Sequence, residues 1–221
     1  MTSMKLCVGL ALAATSAVAA ATEFEEAAMY VEQNATDGDT EVVISGTAGD
    51  EGLRRLYIKS PARERMTTLL ADDATPGMRE FHFDTPEPPG EAVLAFYPEG
   101  TYVLRGVSTT GEVFRSVLTF SHDLPPAVTI LHPAEDAEVP ARQGLVVRWS
   151  AAADIEQFVL EIENESADPE QALTVNLPPH VTSFRVPAAF MRPGSEFQVG
   201  VHTVADNGNI VAVESAFTTA E

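Results

Sequence analysis

The run Asn34-Ala35-Thr36-Asp37-Gly38-Asp39-Thr40-Glu41 gathers closely spaced side-chain oxygens around one glycine. Oxygen is the ligand type a hard cation such as Ca2+ prefers, with about six to eight donors. Asn34, Asp37, Asp39 and Glu41 are therefore weak calcium candidates. Their spacing is not that of the twelve-residue, helix-flanked EF-hand loop. The same residues also spell an ordinary turn before a strand, in which Asx side chains cap local backbone amides. The first reading gives a calcium-dependent adhesion module and the second gives none.

Other chemistry is thinly written. His122, Asp123 and His132 flank one short segment, but a metal site needs three or four convergent ligands and an outer shell that orients them. Gly106-Val107-Ser108-Thr109-Thr110-Gly111 is one residue too long for a nucleophile elbow and reads as a hairpin turn. No Gly-rich phosphate loop opens a helix, and no His-Glu-x-x-His helix occurs. A carboxylate pair for glycoside cleavage could hide among so many acids, since sequence spacing does not fix spatial separation. These readings predict no enzyme, no catalytic residue and no cofactor beyond the calcium alternative. An accessory subunit of an envelope enzyme is the remaining catalytic connection. Asn34-Ala35-Thr36 and Asn164-Glu165-Ser166 match the N-glycosylation pattern, which matters only in a eukaryotic secretory route.

The elements that would position these residues are strands. In 192–219, Phe197, Val199 and Val201 alternate along one arm, and Val211, Val213 and Phe217 mark the other. This is the period of a strand with one buried face. Asn207-Gly208 between them supplies the positive φ of a tight hairpin turn. Residues 98–121 repeat the plan around Thr110-Gly111. Strand-like runs begin at Glu41, Gly52, Arg65 and Arg79 in the first half, and at Ala127, Gly144, Ile155, Gln171 and Thr182 in the second. In Arg79-Glu80-Phe81-His82-Phe83 the two aromatics share a face and His82 takes the other. Residues 89–96 read as a short helical connector, with proline near its start. Residues 22–34 read only as a mixed acidic and apolar lead into the 34–41 turn. Many short strands at regular spacing predict an all-β protein of two tandem β-sandwich domains.

The chain has 221 residues, with 33 Asp plus Glu against 13 Lys plus Arg and a formal charge of −20. Such acidity argues against nucleic acid or an anionic bilayer as partner, because both need a basic surface. Residues 1–21 have the parts of a signal peptide: Lys5, an apolar run over 6–18, and small residues at 17–21. The run is short and Ala-rich for a membrane span. Export to a periplasm or the extracellular space is expected, with no membrane insertion after cleavage. The single cysteine, Cys7, lies in that segment, so the mature chain would hold no disulfide. Domain boundaries are expected at 22–123 and 124–221. His122-Asp123-Leu124-Pro125-Pro126 would be a stiff linker that sets the domains end to end.

In the second half the order and spacing of several features resemble a fibronectin type III domain. They are Pro133, Trp149 late in the second strand, Phe158, Leu160 and Ile162 in the third, Thr182-Ser183-Phe184-Arg185-Val186-Pro187, and Arg192-Pro193-Gly194-Ser195-Glu196-Phe197. The resemblance runs over 125–219. It implies an immunoglobulin-like sandwich with Trp149 and Phe197 as core residues. A tyrosine is usual where Phe197 stands, and its corner hydroxyl is missing here. Tyr102 keeps that hydroxyl at the matching place of the first hairpin. The first half, by 34–39 and Tyr97-Pro98-Glu99-Gly100-Thr101-Tyr102, resembles the N-terminal part of exported bacterial proteins that carry a fibronectin type III module behind it. The Arg-Gly-Asp tripeptide of some family members is absent from the 205–209 loop. The resulting expectation is a monomeric, non-catalytic binding or spacer module that presents sandwich edges and loops to a protein or glycan.

Overall fold

Apolar alternation sets most strands of this computed structural model, which describes residues 21–221 apart from 51, 63, 73–74, 87–89 and 170. The signal-peptide reading, Ala21 excepted, lies outside the described residues. In the first half, β1 (Glu25–Asn34), β2 (Thr40–Thr47) and β5 (Glu80–Phe83) form one layer. The facing layer is β4-β3-β6-β7, from β3 (Leu53–Lys59), β4 (Arg65–Leu70), β6 (Gly100–Ser108) and β7 (Val113–Phe120). Inward side chains of both layers, among them Val31, Val42, Leu56, Ile58, Tyr102 and Leu104, make one buried core. The connector is α1 (Gly90–Phe96), which leads from β5 to β6 and buries Val93 in that core.

The second half repeats the arrangement. β8 (Ile130–His132), β10 (Leu145–Trp149) and β13 (Ser183–Val186) form a layer in the order β13-β10-β8. Opposite lie β11 (Gln157–Asn164), β12 (Gln171–Leu177), β14 (Glu196–Val204) and β15 (Ile210–Thr219), in the order β12-β11-β14-β15. A short β9 (Ala137–Val139) runs parallel to the end of β15. The single tryptophan, Trp149, is 2% exposed and meets Phe158 edge-on at 5.6 Å. Phe197 is fully buried and stacks on Phe217 at 5.3 Å. Setting β9 aside, both halves pack the first, second and fifth strands against the fourth, third, sixth and seventh. The protein is thus a pair of immunoglobulin-like, fibronectin type III-like β-sandwiches.

Two features depart from the sequence reading. Residues 25–34 form a full strand rather than a lead-in. Its inward apolar signal is Ala27, Met29 and Val31, of which only Met29 and Val31 are fully in the core. The domains also do not merely follow one another across a proline hinge. β1 and β15 pair in parallel through Glu32↔Ile210, Gln33↔Val211 and Asn34↔Ala212. The two halves therefore share one continuous sheet, β12-β11-β14-β15-β1-β2-β5. Each rim would otherwise leave backbone donors and acceptors unpaired, and their mutual pairing outweighs whatever stiffness two prolines impart.

Candidate functional site

The sheet junction brings together the side chains whose types could do chemistry. The 34–39 turn does not stand free. The Ala35 amide donates to the Ala212 carbonyl at 2.8 Å, and the Glu214 amide donates to Thr36 Oγ1 at 2.8 Å. Asn34 Nδ2 donates to Glu214 Oε2 at 2.8 Å, while its Oδ1 accepts the Thr36 amide at 2.9 Å. Asp37 Oδ1 accepts the Asp39 amide at 3.0 Å, closing an Asx turn. Two of the four calcium candidates thus have a side-chain oxygen committed to a backbone amide. Glu41 belongs to another wall of the junction, opposite Glu32 in the β1–β2 register. Among the described residues no group of three or more His, Cys, Asp or Glu is arranged to hold a metal ion.

Behind the turn lies a small opening of about 140 Å3, with Glu32, Glu41, Glu214 and His202 in its walls. His202 Nδ1 lies 3.9 Å from Glu32, and its Nε2 lies 3.9 Å from Glu161. The ring rests over Gly200, where an added Cβ would stand 2.8 Å from Nε2, so only glycine leaves room for the imidazole in this position. Burial holds His202 below the usual histidine range, against the opposite pull of Glu161 and Glu214. Burial, then the negative charges of Glu41 and Glu161, push Glu32 above the usual carboxylate range. The chemistry available here is proton uptake.

The hairpin turn of the second sandwich supplies the other half of the junction. Asn209 is 1% exposed. Its Oδ1 accepts the Val31 amide at 2.8 Å, and its Nδ2 donates to the Ser121 and Asp123 carbonyls at 2.9 and 2.8 Å. Asn207 Nδ2 adds a bond to the Asp123 carbonyl at 2.9 Å. One amide side chain thus satisfies β1 and the linker at once. Sequence reasoning took Asn209 for a turn residue, and a second asparagine after Asn-Gly is the only signal that pointed further.

The remaining sequence candidates lie apart. His122 donates to the Tyr97 carbonyl at 2.8 Å, whereas His132 sits in β8 opposite Arg148, so the two histidines do not form one ligand set. Ser108 Oγ accepts the Glu112 amide at 2.9 Å in the β6–β7 turn. Asn164 is fully buried, with Oδ1 on the Ser166 amide, and offers no glycan acceptor. Tyr102 is fully buried and its hydroxyl donates to the Pro98 carbonyl at 3.0 Å. Burial, and to a smaller degree Tyr97, push its pKa up to about 12. Trp149 Nε1 is buried without a hydrogen-bond partner. No helix among the described residues is long and apolar enough to cross a membrane.

No protein-family model matches this sequence, and no curated protein matches it either. Solved structures similar to it include the FN1–FN3 domains of chicken CNTN1, at 9% identity and TM-score 0.35, covering 90% of this chain and 65% of that one. A two fibronectin type III domain segment from chicken tenascin aligns at 9% identity and TM-score 0.32, covering 87% and 97%. Fibronectin(III)-like modules of Clostridium thermocellum CbhA align at 10% identity and TM-score 0.34, covering 90% and 92%. The chain spans 65% of the length of the CNTN1 fragment.

Proposed function

We propose that this chain is an exported, non-catalytic binding or spacer module of the cell envelope that presents sandwich faces and loops to a protein or glycan. The carrying observation is the junction: a parallel sheet pairing, with Asn209 bonded to β1 and to the linker, holds two sandwiches in one relative orientation. Linked domains move relative to one another by default unless their interface restrains them. A restraint of this kind suits a part that keeps its outer faces at a set spacing. The acidic opening supports proton uptake.

Small-angle scattering from residues 22–221 tests the reading. A profile that matches the calculated curve of the joined sandwiches, and broadens for Asn209→Ala, supports a set-spacing module. A wild-type profile that requires an ensemble of interdomain angles would refute it.

A further inference from the structure

The molecule carries two outer sheet faces of opposite charge. Strands β3, β4, β6 and β7 contain no Asp or Glu, in a chain with 33 of them. Their register places Arg55, Tyr57 and Lys59 beside Val107, Arg105 and Val103, and these beside Val113, Arg115 and Val117. Arg65 lies opposite Lys59 at the β4 rim and stacks over Tyr57 at 4.9 Å, with Arg105 over the same ring at 5.9 Å. Among the described residues none of Arg55, Lys59, Arg65, Arg105 or Arg115 forms an ion pair. Arg105 Nε is buried without a hydrogen-bond partner. A shallow groove of about 530 Å3 runs past Lys59, Arg105 and Arg115, and Val117 beside it is 49% exposed.

Arg105 and Arg115 stand directly opposite in the ladder, as do Lys59 and Arg65. Like charges in that position destabilise a sheet, so the face is arranged against its own stability. The outer face of the shared sheet shows the converse. Glu161 lies beside Gly200, and Gly200 beside Glu214; Glu163 follows on β11, and Glu32 sits directly opposite Glu41. No Lys or Arg occurs in β1, β2, β11, β12, β14 or β15. The cationic face belongs to the first sandwich, and the glutamate face is carried by the second and runs on into β1 and β2.

We propose that copies of this chain associate head to tail, the cationic outer face of the β4-β3-β6-β7 layer of one seating on the glutamate face of the β12-β11-β14-β15 layer of the next. This replaces the monomer expected from sequence. It rests on the module reading only in that both faces are carried by one unit. Each contact relieves the like-charge pairs of the cationic face. Because two different surfaces meet, the contact is heterologous, and successive copies form a ring or an open row. A four-stranded face spans roughly 20 Å by 20 Å, from strand spacing near 4.8 Å, or roughly 400 Å2. That is about half of what a stable interface buries per partner, so the affinity is weak. The formal charge of −20 makes copies repel at long range. Screening beyond about 8 Å at physiological salt leaves the short-range face contact to decide.

Sedimentation velocity on residues 22–221, over a concentration series, tests this. Association is expected at ionic strength near 0.15 M and its loss near 1 M, where the screening length falls to about 3 Å. Arg105→Gln with Arg115→Gln, and separately Glu161→Gln with Glu163→Gln, should each be monomeric. An equimolar mixture of these two variants should form a dimer and stop there, because one cationic and one acidic face survive between them. A misfolded variant could not produce that dimer. Wild-type protein that stays monomeric at both salts, or a mixture that stays monomeric while wild type associates, would overturn the proposal. A monomer that instead bound an acidic polysaccharide through Arg105 and Arg115 would overturn it too, and would hand the face to that polymer. A monomeric result leaves the scattering test of the spacer reading untouched, so the two can fail separately.

Discussion

Asn209 Oδ1 accepts the Val31 amide at 2.8 Å across 178 residues of sequence, and this single bond joins the turn of the last hairpin to the middle of the first strand. Because Asn209 also donates to Ser121 and Asp123, its removal orphans the buried Val31 amide and the half-buried Ser121 carbonyl, while Asp123 keeps its bond from Asn207. Asn209→Ala should cost about 2 kcal/mol, the penalty of leaving buried backbone groups unsatisfied. Urea unfolding would show it as a lowered midpoint. An unchanged midpoint would mean that water enters the junction freely.

Glu32 is held above the usual carboxylate range, so the folded state binds its proton more readily than the unfolded state does. Its contribution is therefore fully present at acid pH and is lost as pH rises through the folded value. Glu32→Gln should stabilise the protein at neutral pH by about 0.5 kcal/mol, through relief of the like-charged Glu41 opposite. The gain should vanish in acid. Melting temperatures of both proteins across pH 3 to 8 would read the crossover.

His202 carries the opposite sign. Its folded value is depressed by burial, so its contribution is present above the ordinary histidine range near pH 6.5 and declines as pH falls through the lower folded value. His202→Gln should flatten the loss of stability on that acid side. A wild-type imidazole resonance that titrates above 6.5 in an NMR pH series would contradict this.

Tyr102→Phe should destabilise the first sandwich by about 1 kcal/mol, the net value of its hydroxyl bond to Pro98. Its folded pKa of about 12 exceeds the unfolded value of 10.0, so its contribution is complete below pH 10 and is lost between there and 12. Ultraviolet titration should show one tyrosine that ionises together with alkaline unfolding. The variant should lack it.

Trp149→Ala should cost about 3 to 5 kcal/mol and unfold the second sandwich, since the indole fills the space between its layers. An intact cooperative transition in that variant would contradict the packing. For the 34–41 turn, excess Ca2+ or chelator should move melting by less than about 1 °C, because a ligand stabilises only in proportion to its binding. A rise of several degrees would restore the calcium site.

The sandwiches were legible because one-sided burial imposes a period of two, which Phe158, Leu160 and Ile162 or Phe197, Val199 and Val201 spell without interruption. β1 was not, since its outward side faces an acidic opening and carries Glu25, Tyr30 and Glu32 among few apolar residues. β9 is too short for a period to show. Contacts between domains have no periodicity at all, so Glu214 gave no warning of the shared sheet and Asn209 no more than a second asparagine in its turn. The cationic face did leave a trace: four strand segments free of acids in a strongly acidic chain.

The closed rim of β15 has a consequence for anyone dividing the protein. Ile210, Val211 and Ala212 are covered by β1, while Phe217, Thr218 and Thr219 are covered by β9, and Thr36 caps the Glu214 amide between them. Severing the chain near residue 123 would strip the first of these covers and the cap, and leave bare backbone on both fragments. Such borders are templates for runaway stacking. Separately expressed halves should precipitate or trade strands through these borders, which the undivided chain keeps covered.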